Sequence, residues 1–280
     1  MPDFIQRDQA PLTSGQWTTL DEVVVGAARS ILVDRRVIPV VGPFGAGIQA
    51  LPSDTLSGTG AGQIDLLGSE EGEAISLEAR RYLPVPLLYK DFWLYWRDLE
   101  ASNQLGLPLD TSRAAAAAGA VARAEDTLVL DGHPGLGLPG LRTVEGHQSV
   151  DLGDWGVEGQ GFAAVVNAAR QLSDRDFPGP YALIVSTGLY AQLNRLFGNT
   201  GVLEIDQVAK LARRGVYATS VLPEPAALLV DSGAQHMDLA ISIDLVTAYV
   251  ESVNLNHHFR VVESLLLRIH RPDAICTFEA

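Results

Sequence analysis

The runs "MDLAISIDLVTAYVES" (237–252) and "HHFRVVESLLLRIH" (257–270) constrain this chain most. Each is far longer than a typical strand of about five or six residues. Strands of that length carry a long row of backbone donors and acceptors that must be paired, and the short connection between them makes antiparallel pairing with each other the simplest solution. A third run, "DAICTF" (273–278), is grouped with these two.

A sheet of that size needs cover, and two segments read as amphipathic helices. In "PLTSGQWTTLDEVVVGAARSILVDRR", Thr13 is placed as N-cap and Gln16 can reach back to it, while Leu12 and Trp17 occupy the staple positions. Trp17, Leu20, Val24, Ala28 and Ile31 then make one apolar stripe. "LDTSRAAAAAGAVARAEDTLVLDG" is a second long helix, capped by Asp110 or Thr111 and ended by Gly132. Its alanines permit close packing against another backbone.

Residues 49 to 81 change character, with Gly, Ser, Thr and acidic residues dominating. An insertion of that length in a compact core is uncommon and is usually functional or disordered; an extended arm or hairpin leaving the body fits it. After it, "PVPLLYKDFWLYWR" (84–97) sets Tyr89, Phe92, Trp93, Tyr95 and Trp96 within eight positions of a chain that is only 7% aromatic. Such clusters make a packed seam, a partner surface or a stacking platform. A seam is expected, with some rings inside and others meeting neighbouring chains; a planar ligand such as a flavin stays open. Between 133 and 234, turn-rich sequence gives way to alternating helix and strand, with strands at "YALIVST", "VYATSV" and "ALLVD".

Composition narrows the function classes. A chain of 280 residues, 47% hydrophobic, buries a substantial core. The net charge is −14 and the basic residues, 18 Arg with only Lys90 and Lys210, form no block, which disfavours nucleic acid as a partner. No apolar run approaches the roughly 20 residues of a membrane span, and no secretion signal opens the chain, so a cytoplasmic location is expected. The lone Cys276 reads as a small buried hydrophobe.

No catalytic or metal constellation is expected, and no cofactor. "GPFGAG" lacks the Lys-Ser/Thr of a phosphate loop. His257 and His258, adjacent in a strand, point to opposite faces and cannot chelate one ion. His133, His147, His236 and His270 have no ligand-like spacing, Ser186 lacks a complete nucleophile elbow, and Glu125 and Asp126 are expected on a solvated or inter-subunit face.

Five passages, "RDQAPLTSGQW", "VPLLYKDFWLYWRDLE", "GPYALIVSTGLY", "DLVTAYVES" and "HRPDAICTFEA", resemble encapsulin shell proteins in order and spacing. The similarity is to family 1, linocin-like members, above all the myxobacterial type whose cargo is ferritin-like and stores iron. It implies an α+β chain with the tailed-phage major capsid fold and icosahedral self-assembly. The implied parts are an N-terminal helix and first strand at 1–48, an extended loop at 49–88, a peripheral domain with spine helix at 89–132, an axial domain at 133–234 and returning peripheral strands at 235–280. It also implies a groove for the C-terminal targeting peptides of cargo proteins, formed by Val24, Ala28, Ile31, Leu32 and Arg35 with Asp244, Val246 and Ala248 or their alternating neighbours. The aromatic five would serve subunit contacts. Residues 49–83 contain no Lys, so the lysine cross-link of some phage capsids has no counterpart there. The remaining alternatives are an enzyme of the peptidase or bacteriocin type and a DNA-packaging capsid protein.

Overall fold

The computed structural model describes residues 3–67, 72, 74–198 and 201–279. Two short 3-10 turns, Asp3–Ile5 and Arg7–Gln9, precede α1 (Ser14–Ile31) and α2 (Asp34–Val37). There follow β1 (Val40–Val41), β2 (Ala50–Ser57), β3 (Ser76–Pro84), β4 (Leu87–Leu94), α3 (Trp96–Leu105) and α4 (Ser112–Asp131). Next come β5 (Gly132–His133), β6 (Leu138–Pro139), β7 (Gln148–Asp151), α5 (Gln160–Ser173), β8 (Ala182–Ser186), α6 (Thr187–Leu193), α7 (Glu204–Leu211), β9 (Gly215–Thr219) and β10 (Ala227–Val230). The chain returns through β11 (Met237–Val253) and β12 (Asn256–Ile269) and ends in β13 (Ile275–Glu279).

The two long runs do pair with each other. A four-stranded sheet has the order β1-β11-β12-β4, with β11 and β12 antiparallel from Met237↔Ile269 to Val253↔Asn256. Register shifts between Ile241/Ile243, Ile243/Val246 and Tyr249/Glu251 interrupt the ladder; such bulges bend a strand and re-aim its side chains. The long helix α4 packs against β4 and β12, and α1 packs chiefly on α4. Alanine makes this possible: Ala114, Ala117, Ala118 and Ala122 are buried, and a Cβ on Gly119 would come within 2.9 Å of Ile31 Cδ1.

α1 begins as its sequence dictates, with Thr13 and Gln16 bonded reciprocally: the Thr13 N–H donates to Gln16 Oε1 at 2.9 Å and the Gln16 N–H to Thr13 Oγ1 at 3.3 Å. At α4 the cap is different from a standard N-cap bond. Thr111 occupies the cap position without a side-chain bond, and Asp110 accepts instead from the Ser112 N–H.

A second sheet has the order β7-β13-β10-β8-β9. This corrects the grouping of the last strand: β13 is bonded to β10 and β7, not to β11 or β12. The sheet is buried on both faces. Leu183, Val185, Ala227 and Leu229 join Trp155, Val165 and Phe177 under α5, while Ala182, Ile184, Leu228 and Val230 join the core of the four-stranded sheet. Alternate residues of each strand thus weld the two units together. Apart from both stands the β2–β3 hairpin, paired from Ala50↔Pro84 to Ser57↔Ser76.

Candidate functional site

The face between α1 and β11 is where a groove was expected, and it divides the named residues. Leu20, Val24 and Ala28 point inward from α1, with Val24 only 1% exposed, and Leu32 is buried with Ala28 against Ala122 of α4. These three groove candidates, Val24, Ala28 and Leu32, are packing residues. Ile31 is half-buried at the rim of the same cluster.

On the strand side the pairing decides between Val246 with Ala248 and their alternating neighbours. Residues directly opposite on paired strands share a sheet face, and Ala248 lies opposite Arg260, Val246 opposite Val262. Arg260 belongs to the face away from α1: it is bonded to Asp91 at 2.6 and 2.9 Å and lies 4.0 Å over the Tyr89 ring. Thr247 and Tyr249 lie opposite Val261 and Phe259, and Phe259 meets Trp17 of α1 edge-on at 5.8 Å. So the alternating neighbours face the helix, with Leu245 packing on Ala28 and Leu32; Val246 and Ala248 face the other way. Beyond Ala240 the outer edge of β11 has no strand partner among the described residues, and the N-terminal turns lie along it. There Arg7 donates to the Thr247 carbonyl, binds Asp21 with two 2.7 Å bonds and covers the Trp17 ring at 4.4 Å.

Arg35 is not free to meet a ligand. Its Nε and one terminal nitrogen donate to Glu125 at 2.5 and 3.0 Å, that same nitrogen donates to Glu263 at 2.8 Å, and the other donates to Asp244 at 2.7 Å. Glu125, Asp126 and Glu263 are wholly buried and Asp34 is 1% exposed. The expectation that Glu125 and Asp126 sit on a solvated face is therefore overturned. They point to different neighbours, as consecutive helical residues must, but both neighbours are inside: Asp126 accepts from the Val33 and Asp34 N–H groups and so caps the start of α2. Burial, with the Glu125 carboxylate next, pushes Glu263 up to about 9. Burial likewise raises Asp126 to about 6, and burial with Glu125 and Asp126 nearby raises Asp34 well above the usual carboxylate range. For Asp244 burial acts upward, but the Arg35 bond prevails and holds it below that range.

The aromatic run also divides. Phe92 is 5% exposed and stacks on Phe259 at 5.5 Å, so it belongs to the core and not to a subunit contact. Trp93, on the opposite face, stacks on His258 at 4.6 Å, and His258 in turn meets Asp91 at 3.3 Å. Tyr89, Tyr95 and Trp96 are exposed at the surface, with Arg260 over Tyr89 and Arg113 4.6 Å over Tyr95. Strand alternation decides this split for Phe92 and Trp93. The hairpin arm carries a second apolar surface: Ile64 is 99% exposed, Leu66 97% and Leu67 84%, and Ile75, Leu77 and Tyr82 are exposed as well. Residues 68–71 and 73 of the arm lie outside the described residues. Where the arm meets the body, a cavity of about 800 Å³ opens among Leu56, Leu83, Val144, Leu267 and Ile269.

Comparison with known proteins places this architecture. The family profile described as encapsulating protein for peroxidase (Linocin M18) matches residues 2–266. The chain is 45% identical over 279 residues to the type 1 encapsulin shell protein EncA of Myxococcus xanthus, covering 100% of this chain and 97% of that one. The chain belongs to the encapsulin family of shell proteins. Another encapsulin relative, the diheme-cytochrome–encapsulin shell fusion protein of Kuenenia stuttgartiensis, is 42% identical over 263 residues, covering 94% of this chain and 72% of its own length. In structure, a virus-like particle protein from Pyrococcus furiosus superposes with a TM-score of 0.77 at 19% identity, covering 94% of this chain and 99% of its own. The capsid of the myovirus XM1 gives 0.62 at 14% identity, with coverages of 86% and 88%. This encapsulin thus has the tailed-phage capsid fold, α+β in class.

The other sequence candidates resolve into structure. The encapsulin's Ser186 donates to Glu224 at 2.6 Å, and Glu224 also accepts from Thr187 and the Gly188 N–H. His257 bonds Ser252 while His258 faces Asp91, on opposite sides as expected. "GPFGAG" is a turn whose Phe44 and Gly45 N–H groups are taken by the Ile241 and Ser242 carbonyls. Cys276 is buried, which pushes its thiol up to about 12. Among the described residues no helix is long and apolar enough to cross a membrane.

Proposed function

We propose that this chain is the subunit of a closed icosahedral compartment in the cytoplasm. It assembles from identical copies and encloses cargo proteins that dock by C-terminal targeting peptides, with ferritin-like iron-mineralising proteins as the cargo. The observation that carries the reading is the arm: an apolar surface almost fully exposed within one subunit, on a chain that matches encapsulin shells over its whole length. Contiguous exposed apolar surface marks an interaction site, and a second copy supplies the chemistry to cover it. Tyr89, Tyr95 and Trp96 are assigned to subunit contacts for the same reason, with Trp93 at their edge. In this reading residues 1–48 with α4 and the four-stranded sheet form the peripheral part, 49–88 the extended loop, and 133–234 with β13 the axial part.

The ferritin-like cargo reading is supported by a ferritin-like–encapsulin shell fusion protein of Pyrococcus furiosus, 23% identical over 217 residues, 78% of this chain and 58% of that one. The cargo peptide is assigned to the rim of the α1–β11 face, at Ile31, Asp244 and Leu245, because Asp244 is exposed and Ile31 and Leu245 are half-buried there, while the half-buried Arg35 is taken up by carboxyl groups. The acidic balance of the chain favours cations over nucleic acid. The test is mass spectrometry of protein co-purified with shells of the wild type and of Ile31→Asp. A ferritin-like protein is expected with the wild type and its loss with the variant. Unchanged loading by Ile31→Asp would refute the groove, and co-purified DNA in place of protein would refute the compartment.

A further inference from the structure

We propose that the Arg35 cluster is an alkaline-labile latch, in which a proton held between Glu263 and Glu125 keeps the corner from α1 to α2 fastened to α4 and the long strands. Four elements meet there: Arg35 and Asp34 come from α2, Glu125 and Asp126 from α4, Glu263 from β12 and Asp244 from β11. Arg29 of α1 also acts on Asp244. One guanidinium therefore serves three carboxyl groups, two of them with no exposed surface. Full ionisation would leave Glu125 and Glu263 side by side as buried anions with a single counter-charge, which a low-dielectric interior strongly disfavours. Among the described residues, Glu263 Oε1 and Asp34 Oδ2 are buried without a hydrogen-bond partner. A hydroxyl on each, directed at Glu125 and at Asp126, supplies the missing interaction, since a protonated carboxyl becomes a donor.

Opening is a simple proton transfer. The O–H bond of Glu263 breaks, the proton leaves to bulk base, and repulsion between the two carboxylates drives β12 and α4 apart around Arg35. The sign follows from the raised affinity for protons. A carboxyl whose folded-state value lies above its unfolded one contributes stability fully at low pH and loses it as pH rises. For Glu263 the window runs from 4.5 to about 9, and one proton changes the opening equilibrium about tenfold per pH unit within it. Protonated Asp34 adds to the effect in the same direction.

The decisive variant is Glu263→Gln, because a glutamine amide donates to Glu125 at every pH. On the full-length assembled protein, infrared spectroscopy of the wild type should give the carbonyl stretch of a protonated carboxyl at neutral pH, fading as pH passes about 9. In Glu263→Gln that titrating component should be gone. Hydrogen exchange compared at one alkaline pH should be faster at residues 32–37 in the wild type than in the variant. A wild type without a protonated-carboxyl band at neutral pH would overturn the latch even if the variant failed to fold, as would equal exchange in the two proteins.

Discussion

Removing Arg35 would leave the unexposed Glu125–Glu263 pair, which shares one proton and carries one negative charge, without its counter-charge. Breaking a buried ion pair from one side costs about 3–5 kcal/mol. Arg35→Met should therefore lower stability by about that amount in denaturant unfolding, far beyond the loss of a surface salt bridge at about 0–1 kcal/mol. A loss within the surface range would mean that the cluster is solvated. None of this was legible in the sequence. Glu125 is separated from Arg35 by 90 positions and Glu263 by 228, and acidic residues side by side on a helix look solvated until a partner is known. Phe92 and Trp93 pose the opposite case: their alternation was readable, but which of the two faces was inside depended on β12.

Elements with local signals were read well and elements fixed by distant pairing were not. The capping box of α1, the alanine spine, the hairpin arm and the long pair β11–β12 all announce themselves through periodicity or composition. The bulges in β11 do not, and so the choice between Val246 with Ala248 and their alternating neighbours stayed open in the sequence; Leu245 and Tyr249 hold the helix side. β13 was placed by proximity in sequence, yet its ladder lies with β10 and β7. The end of α4 was legible because it depends on one residue. Gly132 has φ +74, and a Cβ there would meet the Leu138 carbonyl and the Gly140 and Pro139 backbone. Gly132→Ala should cost about 1–3 kcal/mol, the range for a residue forced into a sparsely populated conformation. A thermal melt matching the wild type would show that the β5–β6 turn relaxes freely.

For the molecule as a whole, the two sheets share a core, and the most exposed large apolar side chains among the described residues, Ile64, Leu66 and Leu67, are on the arm. Ile64, Leu66 and Leu67 gain nothing from folding alone at such exposure; in the proposed assembly another subunit buries them. The aromatic run contributes to both levels, with Phe92 in the core and Tyr89, Tyr95 and Trp96 outside. Electron microscopy of the purified full-length chain tests this most directly. The account predicts closed, hollow, uniform particles built from the 280-residue chain; a well-folded population that remains monomeric at concentrations where shells should form would contradict it.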